Sequence, residues 1–164
     1  MKNRKKLQIL ICCGLLMILA GLGAPAASSA DDIKLSSGQT VYVPIYSHIY
    51  SGVKARPFAL AATLSIRNTN LKHGITLVSV KYYDSDGKLV ENYLSQPKQL
   101  KALGTTRYII TEGDKTGGSG ANYIVVWKSD QKVNQPIIEA VMIGTQSSQG
   151  ISFLSRGQVI KEDL

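Results

Sequence analysis

From Gln39 to Ile160 the apolar side chains recur at every second position in short runs, and turn residues separate the runs. A half-buried strand produces that alternation, whereas an amphipathic helix repeats about every 3.6 residues. The first run, TVYVPIYSHIY, puts Val41, Val43 and Ile45 on one face and Tyr42 and Tyr46 on the other. Pro44 brings no amide hydrogen, so this strand is expected at an edge or with a bulge. The next run, FALAATLSIRN, aligns Leu60, Ala62, Leu64 and Ile66 as a core face ending at the NTN turn. In ITLVSVKYY the buried set passes from Ile75 and Leu77 through an irregularity near Val80 to Tyr82 and Tyr83. DSDG is the clearest hairpin turn, because an aspartate side chain bonds its own backbone and glycine tolerates positive φ. KLVENYL returns from it, and QPKQLKALGT, bracketed by Pro97 and Gly104, is read as an irregular crossover. TRYIIT, NYIVVW and PIIEAVMIGT supply three further strands, and GISFLSRGQVI an eighth, with a break offered by Arg156 and Gly157.

Seven or eight short strands describe an all-β, antiparallel two-sheet sandwich of the immunoglobulin/fibronectin-like kind, since each half-apolar sheet must bury one face against another. A small β-barrel is the alternative. Trp127 ends a strand beside Val125 and Val126, and is read as a core or sheet-edge aromatic in preference to an exposed platform.

The first thirty residues follow a different pattern: KNRKK, then the apolar run LQILICCGLLMILAGLG, then APAASSA before Asp31. A basic start, an apolar stretch and small residues at a cleavage point make a secretory signal peptide. The expected organisation is a signal peptide at 1–30, a short extension at 31–38, a single sandwich domain at 39–160 and a tail at 161–164. An uncleaved anchor is the alternative, as Leu7–Gly23 approaches the length that spans a bilayer. Of the chain's 19 Lys and Arg, four lie in this segment with none of the 11 acids, so the formal charge falls from +8 to +4 on its removal. Both cysteines, Cys12 and Cys13, go with it, leaving a thiol-free domain whose stability rests on its core. Ile11 is bulky where a lipid-attachment motif needs a small residue, which argues against lipidation. One domain of this size excludes a multidomain enzyme.

YVPIYSHIY, LSIRNTN, GDKTGGSGANYIVVW and IEAVMIGTQSSQGISFLSRG, in that order, resemble the bacterial exported family catalogued as domain of unknown function 3124. The resemblance spans Gln39 to Gly157. It implies an exported or lipid-anchored protein and carries no activity or ligand to transfer.

His48 sits in a polar and aromatic cluster with Tyr46, Ser47 and Tyr50, and can be read as a satisfied structural ring or as a pocket residue. His73, before Gly74, is read as a solvated turn residue. Two histidines without nearby partners make a poor zinc site, and no metal or cofactor is expected. Pairing His48 with Ser47, Ser119 or Ser152 and with Asp114 would make a hydrolase, yet no serine lies in a G-x-S-x-G elbow. Neighbours on a strand also point to opposite faces, which separates Ser47 from His48. GDKTGGSGAN is either a sharply turning hairpin or a binding loop in which Asp114, Lys115, Ser119 and Asn122 add polar groups. Its order of residues does not fit a phosphate-binding P-loop. Glu139, within an apolar strand, either faces solvent or pairs with Arg156 or Arg67.

The basic residues are dispersed, without a basic helix or a basic-aromatic tract, so nucleic acid is not an expected partner. Eight tyrosines favour a carbohydrate- or protein-binding surface, because each ring joins an apolar face to a hydroxyl. The reading that follows is a noncatalytic exported module, periplasmic or extracellular, binding an envelope protein or polymer through Tyr46, Ser47, His48, Tyr50, Asp114, Lys115, Ser119, Asn122 and Arg156. It would be a monomer or weak oligomer with no stable membrane insertion after cleavage. The second reading is a small periplasmic enzyme or solute-binding protein whose pocket holds His48, Asp114 and Arg156.

Overall fold

The structure, a computed structural model, describes residues 34–145 and 150–162. The expected signal peptide lies outside the described residues. Strands β1 (Leu35–Pro44), β5 (Ile75–Tyr83) and β9 (Asn122–Asn134) form the middle of one antiparallel sheet. It is extended by β12 (Gln158–Glu162) beside β1, and by β6 (Leu89–Asn92) and β7 (Lys98–Leu100), which both pair with β5. The second sheet runs β11 (Ile151–Arg156), β10 (Ile137–Gly144), β4 (Ala61–Arg67), β8 (Thr105–Ile110). A separate hairpin joins β2 (His48–Ser51) to β3 (Arg56–Ala59).

Among the described residues every strand pair is antiparallel and no sheet closes, so the architecture is the sandwich that the alternation predicts, not the barrel. Its core is one cluster fed from both sheets: Val41, Val43, Leu77, Val80, Tyr123, Val125 and Trp127 from one, Ala62, Leu64, Ile66, Ile110, Ala140 and Met142 from the other. Trp127 is fully buried, which makes it a core aromatic and not a platform. The irregularity near Val80 is a bulge: the β5–β9 register shifts between Leu77 and Ser79, so Leu77 and Val80 both face inward while Val78 is expelled.

Among the described residues twelve strands replace the expected seven or eight, for identifiable reasons. The stretch read as one strand from Thr40 to Tyr50 breaks after Pro44, and its end becomes β2. Lys98–Leu100, within the expected crossover, pairs with Ile75–Leu77. The polar KSDQKVN stretch continues β9, where Val133 and Asn134 pair with Ser36 and Leu35. Residues 35–38, read as an extension, are therefore the start of β1. That strand is internal, between β12 and β9, and its register shifts twice, against β9 between Ser36 and Gly38 and against β12 between Thr40 and Val41, where the extra residue is Ile160 of β12. Pro44 is its last residue, beyond the last β12 pair at Tyr42, where no ladder hydrogen bond is forfeited on that side.

At Gly157 the chain passes from one sheet to the other, as the Arg156–Gly157 break suggests. A Cβ there would stand 2.6 Å from Val41 Cγ1 and 2.8 Å from the Ile138 carbonyl oxygen. The Gly157 amide donates to that same carbonyl at 2.8 Å, fixing the crossing.

Candidate binding site

The β2–β3 hairpin pairs His48 with Ala59 and Tyr50 with Pro57. Alternation puts these four on one face, and Ile49 and Phe58 on the other, where they pack against the core. The first face forms one wall of a hollow of about 750 Å³, closed on the other side by Glu112, Gly113 and Lys115 from the loop joining β8 to β9. Pro57 and Tyr50 are exposed, and the Tyr50 and His48 rings meet nearly perpendicular at a centroid distance of 5.2 Å. His48 Nε2 and the Tyr50 hydroxyl are 3.2 Å apart. The lining thus combines an aromatic ring, a proline and an alanine with an imidazole, a carboxylate and an ammonium group.

Glu112 is the one acidic residue among those lining the hollow. One of its carboxylate oxygens is shielded from solvent and receives no hydrogen bond. A shielded acceptor left without a donor costs about 1–3 kcal/mol.

Ser47 anchors the hairpin. Buried, it donates through its hydroxyl (2.9 Å) and its amide (3.1 Å) to the Gly118 carbonyl, while its own carbonyl accepts from the Leu60 amide at 2.9 Å. Ser47 is therefore a structural residue that holds β2 against the glycine loop. That loop is stapled on its other side by Ser85, whose hydroxyl donates to the Gly117 carbonyl at 3.0 Å and accepts from the Gly120 amide at 2.9 Å. Two carbonyls and an amide of the GGSG run are thus occupied within the protein. A side chain at position 117 would overlap the Tyr82 hydroxyl, which explains the glycine there by packing.

The remaining expected site residues fall elsewhere. Asp114 shapes the loop, accepting from the Thr116 amide at 2.9 Å and hydroxyl at 2.6 Å, and is not among the residues lining the hollow. Tyr46 packs its ring against Phe153, at a centroid distance of 5.6 Å. Ser119 is half-buried in the glycine loop, and Asn122 opens β9 opposite Pro44 and Tyr83. Arg156 lines a second hollow of about 290 Å³ with Pro136, Ile137, Ile138, Glu139 and Gly157. His48, Asp114 and Arg156 therefore do not share one site. Glu139 lies opposite Arg156 in the β10–β11 register and 3.9 Å from Arg67 Nε, so it pairs with Arg67 in a partly exposed bridge. His73 is half-buried, its Nδ1 2.6 Å from the Gln131 side-chain nitrogen.

Four residues of the hollow were not anticipated: Pro57, Ala59, Glu112 and Gly113. Pro57 and Ala59 follow from the alternation once SGVKAR is read as a hairpin turn, for which Gly52, at a φ of 71°, was the available signal. Nothing local marked Glu112, because it follows the last residues of β8 and is placed by the loop.

Beneath the same loop lies a tyrosine stack. Ring centroids are 5.3 Å apart for Tyr82 and Tyr123, 5.7 Å for Tyr123 and Tyr93, and 5.1 Å for Tyr93 and Tyr108. Burial pushes all four hydroxyls above the usual tyrosine range; for Tyr82, with the Asp114 carboxylate nearby adding to burial, the value rises to about 12.

Fold and site together define an all-β sandwich domain with a mixed polar and apolar hollow at the hairpin end. The chain belongs to the family described as a protein of unknown function (DUF3124), whose model matches residues 38–160. No curated protein matches it significantly. A crystal structure of Thermotoga maritima 1070 is similar at 9% identity and a TM-score of 0.46, over 76% of this chain and 97% of that one.

Proposed function

We propose that this protein is a noncatalytic exported binding module of the cell envelope, and that its hollow takes a segment of an envelope glycan. The single observation that carries this reading is the lining of the hollow, which combines the Tyr50 ring and Pro57 with the Glu112 carboxylate and the Lys115 ammonium group. A sugar ring offers an apolar face to a tyrosine or proline and hydroxyl or amide donors to a carboxylate. Lys115 and His48 add donors on either side. Export rests on the KNRKK, apolar and APAASSA succession at the start of the chain.

Residues 31–164 include every strand of both sheets and the whole described core, and are the form to test. Cosedimentation with insoluble cell-wall glycan, and calorimetry with soluble N-acetylated oligosaccharides, should both detect binding. Tyr50→Ala and Glu112→Gln should each weaken it about tenfold, the loss of one good contact of roughly 1.4 kcal/mol. Unchanged binding by both variants would place the glycan elsewhere, and absence of binding by the parent would remove the glycan reading.

A further inference from the structure

The outer face of the β11–β10–β4–β8 sheet is ordered by chemistry along its strands. The register aligns Leu154, Val141, Thr63 and Ile109 in one row across the four strands. Ile143 stands in the next row out, between Ser152 and Ala61. On the other side comes the row Arg156, Glu139, Ser65, Arg107, and after it Ile137 beside Arg67. Ile109 is 56% exposed, Ile143 49% and Leu154 47%. Three arginines thus face one carboxylate, and Arg67 is already engaged with it at 3.9 Å. Arg156 and Arg107 remain at the two ends of their row, roughly 14 Å apart at the usual strand spacing.

We propose that this face docks on a bilayer surface carrying anionic headgroups, with the aliphatic rows at the acyl boundary and the arginines at the phosphate level. The separation into levels is the argument. A protein interface surrounds an apolar centre with a polar rim, whereas here two rows carrying aliphatic side chains are followed by the row of Arg156 and Arg107, with Ile137 beside Arg67 beyond it, so that the face passes from aliphatic to cationic as a membrane does from its interior to its headgroups. A second copy of the chain is disfavoured as occupant because stacking this face on itself brings an arginine-rich surface against another. The shallow hollow beside Arg156 and Ile137 leaves room for a headgroup next to one of the two cations. This inference is independent of the glycan reading, since none of its residues lines the larger hollow.

The test uses residues 31–164 and sedimentation with vesicles of phosphatidylcholine alone or with about one-third phosphatidylglycerol. Binding is expected only to the anionic vesicles and should fall with added salt. Arg107→Gln and Arg156→Gln should each lower partitioning about fivefold, as befits roughly 1 kcal/mol per cation at an anionic surface. Ile109→Ser with Leu154→Ser should lower it at unchanged charge, and thermal melting verifies that the variants fold. Lys128→Gln with Lys132→Gln, on β9 of the other sheet, should leave it unchanged. Equal loss from the lysine pair would show nonspecific charge attraction and overturn the proposal. So would absence of binding to anionic vesicles, including the case in which the same face instead cross-links to an acidic protein.

Discussion

Asn68 shows how one side chain can hold a loop that the hydrophobic pattern leaves undefined. Buried at the end of β4, it donates to the carbonyls of His73 (2.8 Å) and Lys101 (2.9 Å), and its oxygen accepts from the Asn70 amide at 3.0 Å. Asn68→Ala would strand those carbonyls and should cost about 2 kcal/mol in urea denaturation. The tyrosine stack makes a second prediction at this scale. Tyr82 has its value raised from 10.0 to about 12, so the fold favours the neutral hydroxyl. Its stabilising contribution is complete below the unfolded value, near pH 10, and disappears as pH rises through about 12. Urea midpoints should therefore fall across that interval, less steeply in Tyr82→Phe. Tyr82 and Val41 were both legible as strand residues, but the sequence did not reveal that Tyr82, Tyr93, Tyr108 and Tyr123 converge, because they come from separate segments.

Among the elements, those with strong alternation were readable: Leu60, Ala62, Leu64 and Ile66 all lie on the buried face of their segment, and the break at Arg156–Gly157 is a real crossing. Two kinds of element escaped. The KSDQKVN half of β9 carries no apolar alternation, and its pairing with Leu35 and Ser36 depends on a strand far away in sequence. The β2–β3 hairpin was hidden because Ile45 and Ser47 continue the buried alternation of Val41 and Val43 past the end of β1. That hairpin is two-stranded and held by Ser47, whereas β9 is paired on both sides. Amides of β2 and β3 should exchange with deuterium well before those of Val125 and Trp127. Gly157→Ala should destabilise by about 1–3 kcal/mol, since the added methyl meets Val41 and the Ile138 carbonyl at the crossing.

At the scale of the whole molecule, the two sheets enclose one core and the hairpin end provides the hollow. The sequence placed His48, Tyr50 and Lys115 among its candidates, and the fold brings those three together with Glu112. It redistributes the others: Ser47 and Asp114 support the walls, and Arg156 serves the opposite sheet's outer face. Residues chosen for polarity alone could not be sorted further, because which of them share a site is decided by long-range pairing. The most direct measurement of the binding account is an NMR titration of isotopically labelled residues 31–164 with soluble N-acetylated oligosaccharides. Saturable shifts confined to the amides of 48–50, 57–59 and 112–115 are the predicted result. Saturable binding whose shifts lie elsewhere, or no shifts at any glycan concentration, would contradict it.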